Sequence, residues 1–129
     1  MISVDGSGSA VQVLSAGSEA IAAVQRFNRA FGAQDVDAVM KAMTTDCRFE
    51  DTSPPDGGVH EGAAAVRAAW TSLFASSPEG AFTEEEMFGD GDRVVVRWRY
   101  SWGDGHVRGV DLFRVRDGLV AEKLAYVKG

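Results

Sequence analysis

The chain has 129 residues, 45% apolar and 25% charged, with a formal net charge of −6 at pH 7. That length suits one domain with a substantial core, and the acidic balance excludes a broad basic surface, so neither nucleic acid nor an anionic membrane is an expected partner. Cys47 is the single cysteine, which excludes an internal disulfide framework and makes a reducing cytoplasm the expected setting.

Residues 1–17 are rich in glycine and serine and lack the basic and apolar stretches of a secretory leader, so they read as a flexible tail ahead of a domain over 18–129. Ser18 is placed to cap a helix in which Ile21, Val24, Phe27 and Phe31 form the inner stripe and Gly32 the end. Asp35 can cap a short second helix with Val36, Val39, Met40 and Met43 turned inward. Asp46 to Asp51 reads as a strand and Thr52 to Gly58, with Pro54, Pro55, Gly57 and Gly58, as loop. A third helix follows Gly62, with Val66, Trp70, Leu73 and Phe74 inward, until Ser76-Ser77-Pro78 stops it. The period then changes from 3.6 to 2. Phe82–Phe88, Arg93–Trp102, Val107–Arg116 and Leu119–Val127 read as strands, joined by turns at Gly89-Asp90-Gly91-Asp92, Gly103-Asp104-Gly105 and Asp117-Gly118. The expected class is α+β, with helices covering one face of a meander.

Two aspartates stand on apolar strand faces. Asp51 shares its face with Cys47 and Phe49, and Asp111 shares its face with Val107, Gly109, Phe113 and Val115. A carboxyl there must be paired, hydrogen-bonded or protonated. Asp51 is therefore a candidate base, against the plainer reading of a strand-end carboxylate bonded to the proline-rich loop. Asp111 is a candidate neutral donor or orienting group, against that of a buried acid satisfied by backbone or arginine. Trp98, Tyr100 and Trp102 alternate with Arg97, Arg99 and Ser101, so one strand face is aromatic. It either lines a ligand site or forms core or a dimer face. Phe27, Phe31, Phe49, Trp70, Phe74 and Phe113 are candidates for the same wall or for plain core. His60 lies in the expected loop, at a pocket mouth or in solvent, and His106 at a turn. Two separated histidines and one cysteine have no metal-ligand spacing, so no metal is expected. Arg97, Arg99, Arg114 and Arg116 suit either an anion site or a solvated face paired with Glu84, Glu86 or Glu122.

Val24-Gln25-Arg26-Phe27, Asp35-Val36-Asp37-Ala38-Val39, Phe49-Glu50-Asp51, Gly62 with Ala65-Val66-Arg67, Gly109-Val110-Asp111-Leu112-Phe113 and Asp117-Gly118-Leu119-Val120 occur in that order. In these pieces the chain resembles the nuclear transport factor 2-like superfamily, in its SnoaL-like and ketosteroid isomerase-like branch. The resemblance implies a cone-shaped barrel of a strongly curved, mainly antiparallel sheet closed by three N-terminal helices, around a deep pocket, often in a homodimer packed through the sheet. It implies a cofactor-free isomerase or polyketide cyclase-like enzyme acting next to a carbonyl of an apolar small molecule. Asp51 matches the base of ketosteroid isomerases, and Asp111 matches a second aspartate, held protonated, that donates to the substrate oxyanion. The helical tyrosine of those enzymes is replaced here by Phe27, which leaves Tyr100 or Tyr126 to supply a hydroxyl if either points inward. The epoxide hydrolase-like pattern departs further, with Ala125 at the last-strand aspartate and Arg97-Trp98-Arg99 where that branch has Arg-x-Asp. A non-catalytic ligand pocket or a dimerisation module of the same fold is the alternative.

Overall fold

The computed structural model describes residues 2–3, 13–14 and 18–128. Most of the expected tail and the side chain of Ser18 lie outside the described residues. Ile2–Ser3 (β1) and Val13–Leu14 (β2) pair antiparallel.

Helix α1 spans Ser18–Gly32. Its stripe buries Ile21, Val24, Phe27 and Phe31, with Ala20 and Ala23 beside them. Gly32 is the last helical residue, but the left-handed turn that follows is taken by Gln34, at φ 54°. Helix α2 spans Val36–Lys41, and Asp35 caps it, its Oδ1 accepting the Ala38 N–H at 3.1 Å. Met43, expected on this helix, instead opens strand β3, Met43–Asp51. Strand β4, Gly58–Glu61, was expected as the end of a loop. Helix α3, Ala63–Ser76, buries Val66, Trp70 and Phe74 at a four-residue spacing, while Leu73 remains 36% exposed.

Strands β5 (Ala81–Asp90), β6 (Arg93–Trp102), β7 (Gly105–Arg116) and β8 (Leu119–Val127) form the meander. Asp117 and Gly118 join β7 to β8 with φ values of 55° and 76°, the double positive φ of a hairpin turn that matches strand twist. The sheet order is β4-β3-β8-β7-β6-β5, antiparallel throughout except for β3 beside β8. Register shifts at Met43/Arg48, Glu84/Glu86 and Arg114/Val115 bend this open, strongly curved sheet. One face carries Met87, Val94, Val96, Phe113 and Val120 against Ile21, Val24, Phe27 and Trp70, and this is the core. Among the described residues, no helix is long and apolar enough to cross a membrane.

Candidate functional site

The three helices do not fill the hollow of the sheet. A cavity of about 450 Å³ remains, walled by Phe31 from α1, Trp70 and Leu73 from α3, Phe49 and Asp51 from β3, Phe82 from β5, Trp98 and Tyr100 from β6, Val107 and Asp111 from β7, and Lys123, Ala125 and Val127 from β8. Ser53, Pro54 and Lys128 complete it at the β3 loop and the end of β8. The lining is mostly apolar with a few convergent polar groups, the usual composition of a small-molecule site.

Asp111 is 1% exposed and Lys123 is 3% exposed. Lys123 Nζ lies 3.6 Å from Asp111 Oδ2, beyond a hydrogen bond. The ammonium sits inside a ring of aromatics: Phe31 at 4.0 Å to the ring centre, Trp70 at 5.2 Å, Phe27 at 5.3 Å, Phe113 at 5.8 Å and Phe49 at 5.9 Å. Burial pushes the Asp111 carboxyl above its ordinary 3.8, against the pull of the Lys123 ammonium and the Trp98 indole N–H. Burial likewise pushes Lys123 below its ordinary 10.5, against the attraction of Asp111 and, more weakly, Asp51. Both shifts move the pair toward neutral acid beside neutral amine. The Trp98 N–H eases the carboxyl's rise without closing a hydrogen bond. Both Asp111 oxygens, Trp98 Nε1 and Trp70 Nε1 are buried with no hydrogen-bond partner among the described residues. Such groups cost free energy unless something takes up their hydrogen bonds.

Asp51 closes β3 on the cavity wall, half-buried rather than buried. Its Oδ1 accepts the Ser53 N–H at 2.9 Å and its Oδ2 accepts the Ser53 hydroxyl at 2.8 Å, which fixes the carboxylate's orientation. The loop is tied down in turn. The Thr52 hydroxyl and N–H both donate to Ala125 O, at 2.8 and 3.0 Å. Asp51 thus bonds the proline-rich loop and faces the cavity at once.

The aromatic candidates divide. Phe31, Phe49, Trp70, Trp98 and Tyr100 line the cavity. Phe27 and Phe113 lie one layer behind it, stacked edge-on at 5.6 Å, because their helix and strand meet there. Phe74 packs on Phe31 at 5.2 Å and belongs to the core beside the cavity. His60 is not in a loop but on β4, stacked on Phe49 at 5.7 Å, where that ring separates it from the cavity. Tyr126 is 48% exposed, because its neighbour Ala125 takes the inward position on β8, so it cannot replace a hydroxyl at Phe27. Tyr100 does face inward, and its hydroxyl donates to Ser77 O at 3.4 Å. The Trp98 and Tyr100 part of the aromatic face is cavity wall, whereas Trp102, at the strand's end, is 42% exposed. The arginines lie on the outward face: Arg97 with Glu86 and Glu85, Arg114 with Glu122, and Arg116 with Asp46. Glu84 is not among their partners, because it turns inward to accept from Asn28 Nδ2 at 2.7 Å.

Lys123 escaped the sequence reading. Its signal was the row Ala121, Lys123, Ala125, Val127, a charged residue on a small and apolar strand face, the pattern that singled out Asp111.

The family model of the SnoaL-like domain matches residues 24–123. A nuclear transport factor 2-like protein of unknown function from Mesorhizobium loti is 38% identical, the match covering 91% of this chain and 98% of that one, with a TM-score of 0.78. A protein from Jannaschia sp. CCS1, provisionally named a SnoaL-like polyketide cyclase, is 25% identical over 86% of each chain, with a TM-score of 0.74. A provisionally named ketosteroid isomerase from Kribbella flavida shares the fold, with a TM-score of 0.75 at 18% identity over 87% of this chain and 79% of that one. No curated protein matches the chain. The matched span and these likenesses establish that the chain belongs to the SnoaL-like domain family.

Proposed function

We propose that the protein is a cofactor-free enzyme that moves a proton next to a carbonyl of an apolar small molecule, in the manner of an isomerase or a polyketide cyclase. The observation that carries this reading is the meeting of three ionisable groups, Asp51, Asp111 and Lys123, in one apolar cavity. Asp51 is the base, held by Ser53 at the cavity wall. The Asp111–Lys123 pair receives the carbonyl oxygen and the charge that develops on it as the proton leaves, in a site where few waters compete. Lys123, with Nζ 5.3 Å from the Phe27 ring, supplies the donor that a phenylalanine lacks. Burial favours the neutral acid at Asp111, a donor to that oxygen, while Asp51 takes the proton.

The test uses cyclohexanone as probe in deuterated water, with the α-hydrogens followed by NMR. The wild-type protein should accelerate exchange, and Asp51→Asn should lower that rate by about 10²- to 10⁴-fold. Equal rates would remove Asp51 from the mechanism. A second reading, a non-catalytic pocket for an apolar ligand, draws on Phe27 and Ala125, which place no polar group at two positions where relatives keep one. Saturable binding of cyclohexanone with no exchange would establish it.

A homodimer packed through the outward sheet face belongs to the same proposal. Leu112 and Leu124 are paired and half-buried there, with the exposed Tyr126 beside Leu124 on that face. A cytoplasmic setting is also proposed, on the buried free thiol of Cys47.

A further inference from the structure

We infer that Lys123 is a covalent catalyst, whose amine condenses with the carbonyl carbon of an aldehyde or ketone held in the cavity to form an iminium. This rests on the reading of the cavity as a carbonyl site and narrows its substrates, since esters, acids and amides do not form imines.

Four observations meet at this side chain. Lys123 reaches the cavity surface although it is only 3% exposed, so a bound molecule can touch it while bulk water barely can. A lysine in an apolar pocket is the setting in which the amine, rather than the ammonium, becomes available. Its neighbour is a carboxyl whose oxygens close no hydrogen bond among the described residues, with Oδ2 3.6 Å from Nζ. A pair kept only for stability would be expected to be fully bonded, because unbonded buried charges seldom repay their desolvation. The five aromatic rings around Nζ favour a cation at that point, and an iminium places its positive charge there.

The chemistry balances. The Lys123 ammonium gives one proton to the Asp111 carboxylate. The amine lone pair attacks the carbonyl carbon, the C–O π pair moves to oxygen, and a proton passes from nitrogen to oxygen to give a carbinolamine. The Asp111 carboxyl protonates the hydroxyl, which leaves as water as the nitrogen lone pair forms the C=N bond. Ammonium and ketone have become iminium and water, and Asp111 is a carboxylate again. Asp51 can then take an α-proton, whose C–H electrons form the C=C bond of a neutral enamine.

Reductive trapping tests this on the intact protein. Acetone as probe and cyanoborohydride as hydride donor convert an iminium to an isopropylamine, which peptide mass spectrometry locates. The competing lysines are Lys41 and Lys128, both exposed. Lys123, the least exposed of the three, should be labelled about tenfold faster than Lys41. Lys123→Arg, which keeps a cation and cannot form an imine, should lose that label with the fold intact by circular dichroism. Labelling confined to Lys41 and Lys128, in order of exposure, would overturn the inference. Rapid Lys123 labelling beside undiminished exchange in Asp51→Asn would sink the base assignment and leave this one standing. An unlabelled Lys123 beside exchange that needs Asp51 would do the reverse.

Discussion

At the scale of single residues, the Asp111–Lys123 pair decides how the protein is to be understood. Its members are 1% and 3% exposed and 3.6 Å apart, so each has lost nearly all its water. Breaking such a pair leaves a lone buried charge, whereas replacing both partners with apolar groups is often neutral or stabilising. We therefore expect Lys123→Met to lower the unfolding free energy by about 3–5 kcal/mol, and Asp111→Leu with Lys123→Met to leave it unchanged or raise it by about 1–4 kcal/mol, measured by urea denaturation. Recovery of stability without recovery of turnover would mark the pair as kept for chemistry. A double variant less stable than Lys123→Met would mark it as structural. The sign of the pH dependence follows from the shifts. Between the lowered pKa of Lys123 and 10.5, the unfolded chain binds a proton that the folded chain lacks, so stability rises with pH there. Between 3.8 and the raised pKa of Asp111, the folded chain holds the extra proton, so stability falls as pH rises. Both slopes should vanish in the double variant when denaturation is repeated across pH.

At the scale of elements, two glycines explain how the cavity wall fits. A Cβ at Gly109 would strike the Trp98 ring, so β7 needs glycine there for Trp98 to lie across it. A Cβ at Gly80 would meet the Tyr100 hydroxyl. We expect Gly109→Ala to cost about 1–3 kcal/mol and to push Trp98 into the cavity, read as a lower melting temperature and a shifted tryptophan emission. Unchanged emission would separate Gly109 from the wall. Elements also show where the sequence was readable. Period-two alternation located β6 and β8 to the residue, and Asp117-Gly118 announced its own hairpin. The same rule marks Lys123 with Ala125 and Val127 but misplaces Val120. The register shift at Arg114/Val115 changes the phase of β8, so Val120 and Lys123, three apart, both point inward. A bulge is set by the partner strand and leaves no local mark in the sequence. Strand β4 was hidden for another reason, since four residues between glycines carry too little pattern. The parallel pairing of β3 with β8 depends on contacts 74 to 77 residues apart and on no local propensity.

At the scale of the whole molecule, a mainly antiparallel sheet bends over three helices that stop short of filling it, and the unfilled volume is the candidate site. The class and the helical stripes were legible because apolar residues recur at fixed periods. A deep pocket was expected from the resemblance, but its lining was not legible, because the same aromatic residues serve as wall or as core depending on how far the sheet bends. The outward face carries Leu112 opposite Leu124 among arginine–glutamate pairs, so Leu124→Glu should convert the proposed dimer to a monomer in light scattering. A monomeric wild-type protein would refute that interface. The central claim is that Asp51, Asp111 and Lys123 meet the polar atom of an apolar guest inside one cavity. A crystal structure with 2-naphthol, a flat molecule with an enol-like hydroxyl, tests it most directly. We expect the naphthol oxygen within about 3 Å of Asp111 or Lys123, with its rings against Phe31 and Trp98. A naphthol excluded from the cavity, or seated with its oxygen turned away toward Lys128, would contradict it.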